Sequence, residues 1–299
     1  MTQISLGTAQ FGLKYGVTNK NDKIDISQIK SILDTSYLSN IKFLDTAIEY
    51  GDSEINIGRL KSKKHKFNIT SKIYIKKEQL IERDIHKTWD NMLKTSLLNL
   101  KINQFDSYFL HNPDILVQKN GKVVLNWLSS ILERKLTKRV GLSIYSSDIL
   151  HQIPLNNFQI VQLPLSIYDQ RLIEDGTIEL LKNRKIAIHA RSIFLQGLIL
   201  TSVNDWPSFF SKEFSEHHIK FSSRVNKIGS SLLESVFRFI ERQKDIEAFI
   251  IGISSLKELK ELLSIWKKVY SNNGSYPISF EEWSWHKKMD LDPRLWHKN

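Results

Sequence analysis

Short apolar runs alternate with longer amphipathic stretches along the whole chain, and the alternation repeats eight times. The runs are rich in Val, Ile, Leu and Phe and almost uninterrupted, which is typical of parallel strands covered on both faces. The pattern predicts strands at 4–8, 42–47, 67–73, 105–110, 138–143, 158–164, 186–191 and 247–253. It predicts helices between them, among others at 26–38, 81–100, 123–135 and 224–243.

Eight strand–helix units in series predict a closed (β/α)8 barrel in a single domain, with a long doubly wound sheet as the alternative. No G-x-G-x-x-G follows the first strand, which weighs against a dinucleotide-binding Rossmann fold. The predicted helix 224–243 carries its apolar residues on one stripe. The members of that stripe are Val225, Ile228, Leu232, Val236, Phe239 and Ile240.

Two connections are unusually long. Residues 200–221 follow the seventh strand and exceed the usual loop length, which predicts a binding loop or lid. Residues 270–299 follow the last helix and contain Trp283, Trp285 and Trp296. This tail either packs against the barrel or forms a wall of the substrate pocket, and the sequence leaves both alternatives open.

Composition excludes several classes of site. The 299 residues include no cysteine, which excludes disulfides, a Cys-based zinc site and a thiol nucleophile. The histidines lack the spacing of metal ligands, so no metal is expected. The first residues lack the basic and apolar segments of a signal peptide, and no apolar stretch is long enough to span a bilayer. We expect a soluble cytoplasmic protein, either a monomer or a small homo-oligomer.

The net charge is +11. Such a charge indicates either a Lys-rich solvated surface or an anionic partner. The densest cluster, KSKKHKF at 61–67, has one aromatic residue and no platform on which bases could stack. We therefore expect phosphate-bearing small molecules rather than nucleic acid.

Candidate catalytic residues follow consecutive predicted strands, at the end of a barrel where chemistry takes place. They are Asp45, Tyr50, Lys72 and His111. A free tyrosine has a pKa of about 10, and a nearby lysine ammonium is expected to lower that pKa so that the phenol can act as an acid. The aspartate would keep the lysine charged, and a neutral histidine could donate a hydrogen bond to a substrate carbonyl oxygen.

Each of these residues also has an ordinary structural interpretation. Asp45 could cap a helix, Tyr50 could be a packed aromatic, Lys72 could lie on the surface and His111 could belong to a turn. Four such types at neighbouring strand ends are harder to explain in that way.

The motifs resemble those of the aldo-keto reductase family. FLDTAIEYG at 43–51 resembles the family motif D-x-A-x-x-Y-G. ITSKI at 69–73 is similar to its lysine strand, and FDSYFLHNPD at 105–114 is similar to its histidine strand. Further matches lie at 140–143, 161–164 and 250–263. The resemblance implies an eightfold barrel, bound NADPH or NADH, no metal, and Asp45, Tyr50, Lys72 and His111 as the catalytic residues.

The resemblance also implies cofactor contacts. Ser143 and Gln162 match residues that hold the nicotinamide carboxamide, although Ile144 stands where the family usually has Asn. Arg191 matches the aromatic residue that stacks on the nicotinamide. An arginine there could lie against the ring or bind a phosphate of substrate or cofactor.

The adenosine end resembles the family less closely. Ser254, Ser255 and Lys257 resemble the region around the adenosine 2′-phosphate, and Glu261 matches a residue near the adenine. The arginines often found there are absent. NADP(H) is expected in preference to NAD(H) by family habit alone.

The segments 7–16, 161–171 and 189–200 are similar to a bacterial subgroup often associated with sugar and surface-polysaccharide metabolism. Gln10, Phe11 and Tyr15 would then line the mouth of the substrate pocket, unless the glycines of this segment merely shape a turn. We expect an NAD(P)H-dependent carbonyl reductase for an aldehyde or ketone, with a sugar or sugar derivative as a candidate substrate. The alternatives are a cofactor-binding regulatory barrel with little turnover, and a barrel lyase or isomerase that uses Lys72 as a Schiff base.

Overall fold

Eight parallel strands close into a barrel in which every strand is hydrogen-bonded to the next and β8 to β1. The structure is a computed structural model that describes residues 3–20, 22–81, 84–271 and 274–296. The strands are β1 Gln3–Gly7, β2 Phe43–Asp45, β3 Asn68–Ile73, β4 Phe105–Leu110, β5 Thr137–Ser143, β6 Ile160–Pro164, β7 Ala187–Arg191 and β8 Ala248–Ile251. The (β/α)8 prediction is confirmed, because each predicted strand is present and its ends differ by at most a few residues.

Helices surround this barrel. They are α1 Ile26–Leu38, α2 Ser53–Leu60, α3 Ile85–Leu100, α4 Lys122–Glu133, α5 Arg171–Glu174, α6 Thr177–Asn183, α7 Lys212–Lys227, α8 Leu232–Arg242, α9 Leu256–Ser271 and α10 Lys288–Leu291. The fifth connection departs from the repeat, because two 3-10 turns, Asp148–His151 and Leu155–Asn157, replace an α-helix between β5 and β6. In the part of the chain that the structure describes, no helix combines the length and apolarity needed to cross a membrane.

The predicted loop 200–221 is wrong in its second half. Helix α7 begins at Lys212, and the side chain of Ser211 caps it by accepting a hydrogen bond from Phe214 N. Asp290 in the tail in turn accepts hydrogen bonds from the backbone N and the hydroxyl of Ser211, at 3.2 and 2.9 Å. A capping serine with its own partner fixes the helix start.

The prediction of a single helix at 224–243 is also wrong, because two helices occupy this range. Helix α7 ends at Lys227, and Gly229 follows with φ 69°, a left-handed conformation that suits glycine after a helix. Ser231 then caps α8 by accepting a hydrogen bond from Glu234 N. The apolar stripe continues across the break, and for that reason the periodicity alone does not reveal it.

The tryptophan tail packs against α7. Trp285 lies 5.3 Å from Phe214, measured between ring centres, and Trp283 lies 5.0 Å from Phe221. Trp296 is buried and contacts Phe210 at 5.0 Å. None of these tryptophans lines the cavity described below. The structure therefore favours packing over a role as a pocket wall.

The strand register brings the predicted catalytic residues to one end of the barrel. Asp45 ends β2, in register with Gly7 on one side and Thr70 on the other. Lys72 lies near the end of β3. Ser143 at the end of β5 is in register with Gln162 on β6.

Candidate active site

A buried ion pair between Lys72 and Asp45 forms the floor of the site. The Lys72 side chain is 1% exposed, and its Nζ lies 2.6 Å from Asp45 Oδ2. Nζ also donates to the Thr46 carbonyl at 2.9 Å, and Gln162 Nε2 donates to Asp45 Oδ1 at 2.7 Å. A buried charge is costly unless it is paired and hydrogen-bonded, as both charges are here. Asp45 is thus not a helix cap, since α2 begins only at Ser53.

Tyr50 lies beside this pair and faces a cavity. Lys72 Nζ is 5.2 Å from the centre of the Tyr50 ring, and both Tyr50 and Asp45 line the cavity. The Tyr50 hydroxyl makes no hydrogen bond to any residue that the structure describes. Its hydrogen-bonding capacity is therefore available to a bound molecule.

The pKa of Tyr50 is raised, whereas the sequence predicted that Lys72 would lower it. Burial of the phenol is the largest cause, the negative charge of Asp45 adds to it, and Arg191 opposes both. That prediction was wrong because burial of the phenol, together with the charge of Asp45, outweighs the positive charges nearby. The Tyr50 hydroxyl consequently keeps its proton throughout the neutral pH range.

His111 is oriented by a residue that the sequence reasoning missed. Its Nδ1 lies 3.3 Å from Glu49 Oε2, and Glu49 Oε1 accepts a hydrogen bond from Tyr74 N at 2.8 Å. Burial raises the pKa of Glu49, but the hydrogen bonds from His111 and Tyr74 outweigh it and leave that pKa lowered. The His111 ring stands 6.4 Å from the Tyr50 ring, with 80° between their planes. The position of Glu49 directly before Tyr50 was the available signal.

Arg191 is held against Tyr145. Its guanidinium lies 4.0 Å from the centre of that ring and donates to the Ile144 carbonyl at 3.0 Å. The guanidinium of Arg294, from the tail, lies 3.8 Å from the same ring centre. Arg191 also lines the cavity and forms no ion pair with the described residues.

The cavity has a volume of about 400 Å³ and lies at the carboxyl ends of β1, β2, β7 and β8. Asp45, Tyr50 and Arg191 line one part of it, and Ser254 after β8 lines another. Gln10 and Tyr15 line it as well, whereas Phe11 is buried in the core at 1% exposure and lies outside the cavity wall. Gln10 Nε2 donates to the Tyr15 carbonyl at 2.9 Å, which stabilises the loop after β1.

The family model named Aldo/keto reductase family matches residues 3–274. The chain belongs to the aldo/keto reductase family. It is accordingly an NAD(P)-dependent oxidoreductase of small-molecule carbonyl compounds. No curated protein sequence matches it significantly.

Solved structures of aldo-keto reductases share its fold. An aldo-keto reductase from Bacillus halodurans in its holo form has a TM-score of 0.70 and 15% identity, over 94% of this chain and 89% of that one. A thermostable aldo-keto reductase in complex with the inhibitor epalrestat has a TM-score of 0.65 and 18% sequence identity, over 95% of this chain and 93% of that one. A Pseudomonas aeruginosa protein assigned to the aldo-keto reductases has a TM-score of 0.65 and 18% sequence identity, over 89% of this chain and 90% of that one.

Two predicted cofactor positions of this aldo/keto reductase, Ser143 and Gln162, have unsatisfied polar atoms. Ser143 Oγ and Gln162 Oε1 are buried and lack a hydrogen-bond partner among the described residues. They belong to paired positions on β5 and β6. Ile144 next to them is buried, and its carbonyl accepts the hydrogen bond from Arg191.

The region predicted to bind the adenosine end of the cofactor differs in part from the expectation for this aldo/keto reductase. Ser254 lines the cavity, while Ser255 Oγ accepts a hydrogen bond from Glu258 N and so caps α9. Lys257 and Glu261 are exposed and lie outside the cavity wall. Glu258, which the sequence reasoning did not name, lines the cavity instead. Within the described ranges, no cluster of three or more His, Asp or Glu side chains could hold a metal ion.

Proposed function

We propose that the protein reduces an aldehyde or ketone with a nicotinamide dinucleotide and that Tyr50 gives the proton to the carbonyl oxygen. The observation that carries this proposal is the unbonded Tyr50 hydroxyl in the cavity, next to the buried pair of Lys72 and Asp45. An unbonded, protonated phenol in a cavity has the properties of a general acid.

Two buried polar residues that lie outside the cavity wall, Ser143 and Gln162, fit the carboxamide of a nicotinamide dinucleotide. A primary carboxamide offers one acceptor and two donors, and the unsatisfied Ser143 hydroxyl and Gln162 carbonyl oxygen could bond both kinds of group. The cavity also continues to Ser254, at the position expected of the adenosine end. The bound dinucleotide would supply the hydride.

Arg191 replaces Lys72 as the cation that eases proton release from Tyr50. It is the positive charge that opposes the raised pKa of the phenol, and it forms no direct ion pair with the described residues, although the charge of Asp169 also acts on it. A positive charge close to the phenol stabilises the phenolate that remains after the proton has left. Lys72, tied to Asp45, serves mainly to hold the floor of the site.

His111 would orient the carbonyl oxygen. When its Nδ1–H donates to Glu49, a neutral ring has only an acceptor at Nε2. Donation from Nε2 to the substrate therefore requires a ring that carries a proton on both nitrogens, with Nδ1–H donating to Glu49.

A sugar or sugar derivative is the substrate class that we propose. The support is the resemblance of the segments 7–16, 161–171 and 189–200 to a sugar-associated subgroup, and the polar groups of Gln10 and Tyr15 on the cavity wall. NADP(H) is the cofactor that the family resemblance favours.

The test is a titration of NADH and NADPH fluorescence, followed by a panel of aldoses, sugar-derived ketones and simple aldehydes. We expect saturable binding of a reduced dinucleotide and its oxidation only when a carbonyl is present. Tight binding without oxidation by any carbonyl would favour a regulatory barrel, the alternative that Ile144 and Arg191 suggest. A borohydride adduct at Lys72 would instead indicate Schiff-base chemistry.

A further inference from the structure

The wall of the cavity at the start of α9 carries a fixed carboxylate. Glu258 Oε2 accepts hydrogen bonds from Ser254 N at 2.5 Å and from Ser254 Oγ at 2.7 Å. The Glu258 backbone N is held in turn by Ser255 Oγ at 3.2 Å. The donors of Ser254 are thus used by the protein's own acid, and in the first turn of α9 Leu256 N donates to Gln28 Oε1.

This arrangement is unfavourable for a phosphate. The start of a helix attracts anions through its free N–H groups and dipole, but an acid in the first turn satisfies both. Only two cations are found among the described residues that line the cavity, Lys20 and Arg191. Lys20 forms an ion pair with Asp205 at 2.7 Å, and Arg191 is held on Tyr145 at the end of β7.

The same carboxylate suits an unphosphorylated ribose. Glu258 Oε1 accepts no hydrogen bond from the described residues, so it is available to a donor in the cavity. A ribose with free 2′- and 3′-hydroxyls has two adjacent donors, whereas a 2′-phosphate presents negative charge. Dinucleotide sites that select the unphosphorylated form use an acidic residue on the ribose 2′-hydroxyl.

We propose that Glu258 determines cofactor choice and makes NAD(H), rather than NADP(H), the preferred dinucleotide. The proposal rests on the proposed function, because it assigns the adenosine end of the same cavity. It replaces the preference for NADP(H), which the family resemblance alone supports.

The experiment measures dissociation constants of NADH and NADPH for the full-length protein and three variants. The parent should bind NADH about tenfold or more tightly than NADPH, because like charges in one site repel strongly. Glu258→Gln should reduce this ratio toward one, and Glu258→Arg should reverse it. Glu133→Arg, at the exposed end of α4, makes the same charge change away from the cavity and should leave the ratio unchanged. Melting temperatures of the variants, measured without nucleotide, confirm that each is folded.

The outcomes separate this inference from the proposed function. Tighter binding of NADPH by the parent, or a ratio that Glu258→Gln and Glu258→Arg leave unchanged, would overturn the role of Glu258 while carbonyl reduction stands. Binding of neither dinucleotide would overturn the proposed function and this inference with it.

Discussion

Glu49 shows at the scale of one residue why a motif does not fully describe a site. Its carboxylate bridges His111 Nδ1 and Tyr74 N, so it sets the direction of the imidazole. The sequence predicts His111 from its place after a strand, but the partner of a ring nitrogen depends on how two loops meet. Glu258 and Tyr145 escaped prediction for the same reason, since tertiary packing brings Glu258 to the cavity wall and Tyr145 against Arg191.

Glu49 is expected to act as a positioning residue. Glu49→Ala should lower kcat/KM for a carbonyl by about 10–100-fold, the usual loss when a partner that orients a functional histidine is removed. Glu49→Gln keeps an acceptor and should recover part of that loss, while the dissociation constant of the dinucleotide stays unchanged in both variants. Steady-state kinetics with parallel binding titrations check this. Equal kinetics for the parent and Glu49→Ala would refute the role.

At the scale of the structural elements, two connecting loops meet at the cavity. Thr18 in the loop after β1 donates from Oγ1 to the Gln196 carbonyl at 3.1 Å. Gln196 and Gly197, in the loop after β7, have φ values of 54° and 96°, which lie in the left-handed region. The loop that lines the cavity is therefore 192–200 rather than most of the predicted loop 200–221. Six residues between Ser192 and Leu200, both included, line the cavity.

Gly197→Ala tests this contact. A Cβ at Gly197 would lie 2.1 Å from Thr18 Oγ1, so the substitution must push the two loops apart. We expect the dissociation constant of the dinucleotide to rise about tenfold, which corresponds to about 1.4 kcal/mol of binding free energy. Gly176→Ala is the matched control, because Gly176 also has a positive φ, 78°, but nothing lies within 4 Å of its Cβ position. Equal binding by both variants would contradict a role for the loop contact.

The barrel as a whole was predictable because parallel strands covered on both faces must be apolar along their whole length. All eight strands and the end of the barrel that carries the site follow from this rule and from the motifs. Three features did not follow from it. The helix break at Gly229 interrupts no apolar stripe, the fifth connection has no α-helix, and the pKa of Tyr50 depends on the burial and pairing of charges.

His218 links distant parts of the fold and makes stability depend on pH. It is buried. Its Nδ1 lies 2.7 Å from the Tyr168 hydroxyl, and its Nε2 lies 3.1 Å from the Thr201 carbonyl oxygen. Burial lowers the pKa of His218 from 6.5 to about 4, although the hydrogen bond to Thr201 acts in the opposite direction and raises it. Between pH 6.5 and about 4, His218 binds a proton in the unfolded chain but stays neutral in the folded one. The stability contribution of His218 is therefore complete above 6.5 and is lost as the pH falls toward 4.

Denaturant unfolding of the parent and of His218→Gln at several pH values measures this effect. The free energy of unfolding of the parent should lose up to about 3 kcal/mol more than that of the variant as the pH falls from 6.5 to about 4. His151→Gln, at an exposed histidine, should follow the parent. Parallel curves for the parent and His218→Gln would contradict the buried neutral state of His218.

The most direct test of the whole account is the reduction rate of Tyr50→Phe. We expect kcat/KM for a good carbonyl substrate to fall by about a thousandfold, within the range that general acid catalysis supplies, with the dinucleotide dissociation constant unchanged. Tyr270→Phe removes an exposed phenol on α9 and should match the parent. A Tyr50→Phe protein that reduces the substrate as fast as the parent would contradict the central claim.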